Sequence, residues 1–140
     1  MVMLKQLVRT VVLTSCAAVL VACVHRPEDG VLLLKLSRCT ITPFHARPGH
    51  RLTVTTDYLV RLDHAMPQTE VEESWTLRKG DAILSNIPPQ KVKRSQGEWE
   101  TITHIDVPRR AKPGIYVVEH KIQSGTQVDS AKSAFIVIAR

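Results

Sequence analysis

Aromatic residues make up only 4% of this 140-residue chain, and its three cysteines include no Cys-x-x-Cys pair. A zinc ribbon and a disulfide scaffold are excluded by that count. There is no Gly-x-Ser-x-Gly elbow, no His-Glu-x-x-His pair and no phosphate loop, and Ser, His and Asp fall in no catalytic arrangement; the expectation is a protein that is not an enzyme and carries no cofactor. The eight prolines are scattered, so no low-complexity tract is present. The length leaves room for one ordinary domain, which rules out a multidomain enzyme.

What is present begins at the N-terminus. Residues 1–9 hold Lys5 and Arg9 and no acid, and a short apolar run over 10–19 leads into small residues before Cys23. That is the layout of an export signal. The apolar stretch between Arg9 and His25 is about 15 residues, short of the roughly 20 that a helix needs to cross a bilayer. Leu20-Val21-Ala22-Cys23 resembles the lipobox of bacterial lipoproteins. The resemblance implies that the Cys23 thiol receives a diacylglycerol and that the chain is cut before Cys23, with the new amino group often acylated. Acyl chains contribute roughly 0.8 kcal/mol per buried methylene, so two or three would anchor the protein to a membrane permanently. Val24, where some lipoproteins carry aspartate, favours the outer membrane over the inner one by the same resemblance. A poorer match at Leu13-Thr14-Ser15-Cys16 would leave too short an apolar run and strand Ala17 to Ala22 on the mature chain.

The organisation expected is a signal peptide over 1–22, a tether over 23–30 and one domain over 31–140. Without Lys5 and Arg9, the 19 basic residues fall to 17 against 13 acidic ones, a mild net charge of +4. With Cys16 removed and Cys23 lipidated, Cys39 has no intramolecular partner and is expected as a small buried hydrophobe near a strand end, the alternative being an intermolecular disulfide or a reactive thiol.

Beyond the tether the period is two, with no sustained three-four spacing. In Arg51–Leu62, Leu52, Val54, Thr56, Tyr58, Val60 and Leu62 share one face, and Arg51, Thr53, Thr55, Asp57 and Arg61 the other. A strand over Val31–Thr42 precedes it, with the loop 43–50 between. Residues 71–77 place Val71, Trp75 and Leu77 inward, while Glu70, Glu72 and Glu73 read as a wet side and its approach. A turn at Lys79-Gly80-Asp81 leads to a short strand over 82–84. Residues 85–97, with Pro88-Pro89, read as a loop or ragged edge strand. Extended segments follow over 99–107, 115–124 and 131–139, with Phe135 and Val137 facing in and Gly125-Thr126 as a turn. About seven strands with regular turn signals predict an all-β Greek-key sandwich.

The stretch Ala111-Lys112-Pro113-Gly114-Ile115-Tyr116-Val117-Val118 resembles the entry to the sixth strand of immunoglobulin-like and fibronectin-type-III-like domains of bacterial surface proteins. The resemblance, covering about residues 30–140, implies an immunoglobulin-like sandwich in which Tyr116 makes a tyrosine corner and Trp75 is the core tryptophan. The paired inter-sheet cysteines of antibody domains are absent. A fold resemblance transfers no catalytic or binding residue.

Six histidines are present, of which His45 and His50 share a loop and His64 stands near Met66. Imidazole and thioether are both copper ligands, so a copper site from His45, His50, His64 and Met66 is the alternative function, against exposed loop histidines. His120, between Val118 and Ile122, is expected as a satisfied buried histidine. Lys91, Lys93, Arg94, Arg109, Arg110 and Lys112 form two basic stretches that could meet an envelope protein, lipid headgroups or an acidic glycan, or could simply be solvated loops. No aromatics interleave these charges, which speaks against nucleic acid. The function expected is a lipid-anchored, non-catalytic envelope protein serving in adhesion, assembly or accessory binding.

Overall fold

The computed structural model describes residues 30–139. The export signal, Cys16, Cys23 and most of the tether lie outside the described residues. Alternation of apolar and polar residues resolves into eight strands: β1 Val31–Thr42, β2 His45–Ala46, β3 Arg51–Leu62, β4 Thr69–Lys79, β5 Ala82–Arg94, β6 Gly97–Asp106, β7 Gly114–Ser124 and β8 Gln127–Val137. They form a three-stranded sheet ordered β1-β3-β6 and a five-stranded sheet ordered β2-β8-β7-β4-β5. The protein is thus a two-sheet β-sandwich, in which one buried face per strand is enough.

The two inner faces bury four of the six aromatic residues, Trp75, Tyr58, Tyr116 and Phe135, as the largest fully buried side chains. Scarce as they are, the aromatics are concentrated in the core, where each removes a large apolar area from water. The core has two halves. Leu52, Val54, Trp75, Leu77, Tyr116 and Phe135 belong to one, and Val31, Leu34, Tyr58, Val60, Val71 and Ile122 to the other. Between them lie buried polar side chains, Thr56, Glu73 and His120.

β3 has the inner and outer faces that its alternation predicts, with each of its even-numbered residues from Leu52 to Leu62 buried. Three elements depart from expectation. The loop 43–50 contains β2, which pairs in parallel with β8 through His45 and Ala46. Two residues carry too little periodicity to be seen. The last strand starts at Gln127 rather than Ala131, continuing the β7–β8 hairpin up to its turn. Residues 82–94 are one continuous strand, β5, so of the two readings of 85–97, loop or ragged edge strand, the edge strand is the one that forms, and it is continuous with the short strand over 82–84. Pro88 and Pro89 are tolerated because β5 is the sheet's edge and because the prolines fall where the β4–β5 ladder slips, between the pairs Glu73–Gln90 and Trp75–Ile87.

The register fixes which residues share an end of the sandwich. Val31, where the chain enters, lies opposite Leu62. Arg51, at the other end of β3, lies opposite Asp106. The 108–114 crossover and the β4–β5 turn therefore stand at the end away from Val31, about 35–40 Å off at roughly 3.3 Å per residue of a 12-residue strand.

Candidate functional site

Glu73 is the clearest correction to the sequence-based expectation. It lies two residues from both Val71 and Trp75, and strand alternation turns it inward with them, where it is 1% exposed. Its Oε1 accepts hydrogen bonds from Tyr58 Oη at 2.5 Å, Thr101 Oγ1 at 3.1 Å and Arg94 Nη2 at 3.2 Å. Arg94 Nε also donates to Tyr58 Oη at 2.6 Å, and its guanidinium lies 4.6 Å from the centre of the Trp99 ring. Arg94 is therefore no solvated loop cation: its side chain is 17% exposed and is committed to the core. Burial and the hydrogen bond to Glu73 push the Tyr58 phenol up to about 12.

His120 faces the same space. It is fully buried and stacks on Trp75 with ring centroids 4.4 Å apart. The expectation of a satisfied histidine is corrected in part: neither ring nitrogen has a hydrogen-bond partner, and Nε2 stands 3.9 Å from Glu73 Oε2. Burial lowers its pKa to about 4, against the opposing pull of Glu73. The chemistry of this cluster is structural. Arg94 at the end of β5 is bonded to β3, β4 and β6 residues at once, pinning the edge of one sheet to the other.

The copper candidates are not brought together. His45, in β2, and His50 both precede β3, and His64 and Met66 follow its end, so a 12-residue strand separates the pairs. Met66 packs against the core half that contains Val31 and fills the space where a side chain at Gly30 would stand. Among the described residues no group of three or more His, Cys, Asp or Glu side chains could hold a metal ion. Cys39 is a free, half-buried thiol beside the core; burial raises its pKa.

Of the basic residues, Lys91 pairs with Glu70 at 2.9 Å. Lys93 lies opposite Glu70 on β5, and Arg109 lines a groove beside Arg51 and Asp106. Arg110 and Lys112 do meet, with a third cation that the sequence did not single out. A cleft of about 230 Å³ opens between the start of β5 and the 108–114 crossover. Lys79, Arg110 and Lys112 supply its charge, and Leu84, Pro108, Ala111 and Tyr116 its apolar floor. Among the described residues no acidic one lines it.

The cleft is held open by the corner that the Gly-x-Tyr sequence predicts. Tyr116 Oη donates to Lys112 O at 2.8 Å, and Lys79 Nζ donates to Lys112 O at 3.2 Å and Pro113 O at 3.1 Å while lying 5.0 Å from the centre of the Tyr116 ring. Gly114, at φ 139°, lets the crossover enter β7 in a conformation that side chains disfavour. Lys79 could have been found only by knowing that β4 and β7 are neighbours, since 33 residues separate it from Lys112.

The fold and cleft define a β-sandwich with a basic, apolar-floored recess at one end. No family model and no curated protein sequence matches the chain. Solved structures share its fold. A Pseudomonas fluorescens alkylpurine DNA glycosylase bound to DNA containing an abasic-site analogue is similar at a TM-score of 0.55 and 12% identity, over 74% of this chain and 30% of that one. Spo0M, a sporulation control protein of Bacillus subtilis, is similar at 0.52 and 12%, over 76% and 50%. A β-glucosidase of Erythrobacter marinus is similar at 0.51 and 13%, over 76% and 15%. The chain spans half the length of these proteins or less, and identities this low speak to fold alone.

Proposed function

We propose that the protein is a lipid-anchored, non-catalytic binding module of a bacterial cell envelope, acting in adhesion, assembly or as an accessory subunit. The observation that carries this is the sequence Leu20-Val21-Ala22-Cys23, placed eight residues before the first strand at Val31. With Cys23 acylated, residues 24–30 could span at most about 25 Å, so the Val31 end of the sandwich would sit near the membrane and the basic cleft would face away from it. Val24 supports the outer membrane as the destination. We also assign the domain to the immunoglobulin-like and fibronectin-type-III-like group, which the buried Trp75 and the Tyr116 bond to Lys112 support.

Metabolic labelling with a fatty-acid analogue tests the anchor. The wild-type protein and a Cys16→Ser variant should take up label, and a Cys23→Ser variant should not. Label retained in Cys23→Ser would refute the assignment.

A further inference from the structure

Two features of the molecule meet at the cleft. The first is its charge: among the described residues three cations line it and no acid does. An occupant must therefore bring negative charge, and the apolar floor of Leu84 and Tyr116 suits a carboxylate carried on a short methylene stem rather than a bare ion. Lys79 is a fixed contributor, since its ammonium is already bonded to the Lys112 and Pro113 carbonyls. The second feature is the strand beside it. β5 is the edge of the five-stranded sheet, with β4 as its only neighbour among the described residues, so its other side is a row of backbone donors and acceptors open to a further strand. Ile83 and Leu84 stand 52% and 42% exposed at the cleft end of that edge. Pro88 and Pro89 have no N–H to offer, which limits pairing to the six residues 82–87.

From these we infer that β5 is a docking edge for an extended, acidic segment of a partner protein, which adds as a sixth strand along residues 82–87 and projects its carboxylates into the cleft of Lys79, Arg110 and Lys112. Alternation then dictates the segment's pattern. The β4–β5 ladder slips at Leu84, between the pairs Arg78–Ile83 and Leu77–Ser85, so the pattern is set there: acidic side chains lie on the face of Leu84, which lines the cleft, and the apolar ones between them on the face of Ile83, which pairs with outward-facing Arg78. The assignment rests on the binding-module reading above and gives that module its partner chemistry.

The test uses the full mature protein purified in detergent and, as probe, the fluorescent peptide acetyl-Val-Asp-Val-Glu-Val, with its Asn/Gln counterpart as control. The acidic peptide should bind about tenfold or more tighter than the control, weaken as salt rises, and slow backbone hydrogen exchange across residues 82–87. An Arg110→Glu/Lys112→Glu variant, whose changes lie in an exposed loop, should lose that preference. Equal binding of the two peptides, no saturable binding at millimolar concentration, or protection elsewhere than β5 would overturn the inference. Polygalacturonate binding at the cleft in place of the peptide would overturn it too, and would put an acidic glycan there. Because none of these readouts depends on acylation, a failed Cys23 labelling would remove the anchor without touching the peptide result.

Discussion

The Glu73 and Arg94 pair gives the sharpest quantitative expectation, because its two members differ in access to water. Truncating Arg94 to alanine leaves a carboxylate that is 1% exposed with only Tyr58 and Thr101 as donors. Removing one partner of a buried ion pair costs about 3–5 kcal/mol, and this case belongs at the upper end. Truncating Glu73 leaves the guanidinium uncompensated, but that group is 17% exposed, still donates to Tyr58 and still lies against Trp99. Its cost belongs at the lower end, about 3 kcal/mol. Replacing both by leucine removes both charges and restores packing, leaving the hydroxyls of Tyr58 and of the half-buried Thr101 without these partners, at about 1–2 kcal/mol. Stability should therefore fall in the order double leucine variant, Glu73→Ala, Arg94→Ala, measured by chemical denaturation of the domain begun after Cys23 with a common slope. Additive costs in the double variant, or single variants within about 1 kcal/mol of wild type, would refute the claim that this pair is coupled and pins the sheets.

Three further outcomes are expected. His120 has a folded pKa of about 4, below the ordinary 6.5, so the unfolded chain binds its proton first as pH falls; stability should be independent of this group above pH 6.5 and decline on the order of 3 kcal/mol toward pH 4, and a His120→Phe variant followed by denaturation at several pH values should flatten that slope. Tyr116→Phe should cost only about 1 kcal/mol, because Lys112 O keeps the Lys79 ammonium as a donor; Tyr116→Phe in a Lys79→Met background should cost more than in wild type, which a double-mutant cycle by urea denaturation reads directly. Tyr116→Ala should cost about 3–5 kcal/mol through the cavity it leaves, and a loss below about 1 kcal/mol would contradict the buried position of the ring.

Much of the sandwich is legible wherever alternation is unbroken. β3 shows its buried face residue by residue, and the Gly-x-Tyr at 114–116 announces the corner that forms. The failures have physical causes. Glu73 falls on the inward period of β4, but its charge argued for solvent; its burial depends on donors from three other strands, Tyr58, Arg94 and Thr101, whose approach is set by tertiary packing. Pro88-Pro89 forbid a central strand and leave a loop or an edge strand open; only the pairing with β4, which slips at the prolines, decides for the edge strand and joins it to 82–84. The cleft draws Lys79 from β4, Leu84 from β5, Arg110 from the crossover and Tyr116 from β7, so no local pattern could assemble it, whereas Arg110 and Lys112 were visible as charge alone.

The central claim is that this sandwich hangs from a membrane by Cys23. Intact and fragment mass spectrometry of the protein purified from its native cells tests it most directly. The account predicts a mature chain whose first residue is Cys23, carrying a thioether-linked diacylglycerol on its sulfur. A chain that begins at any other residue, or a Cys23 found as a free thiol, would contradict it.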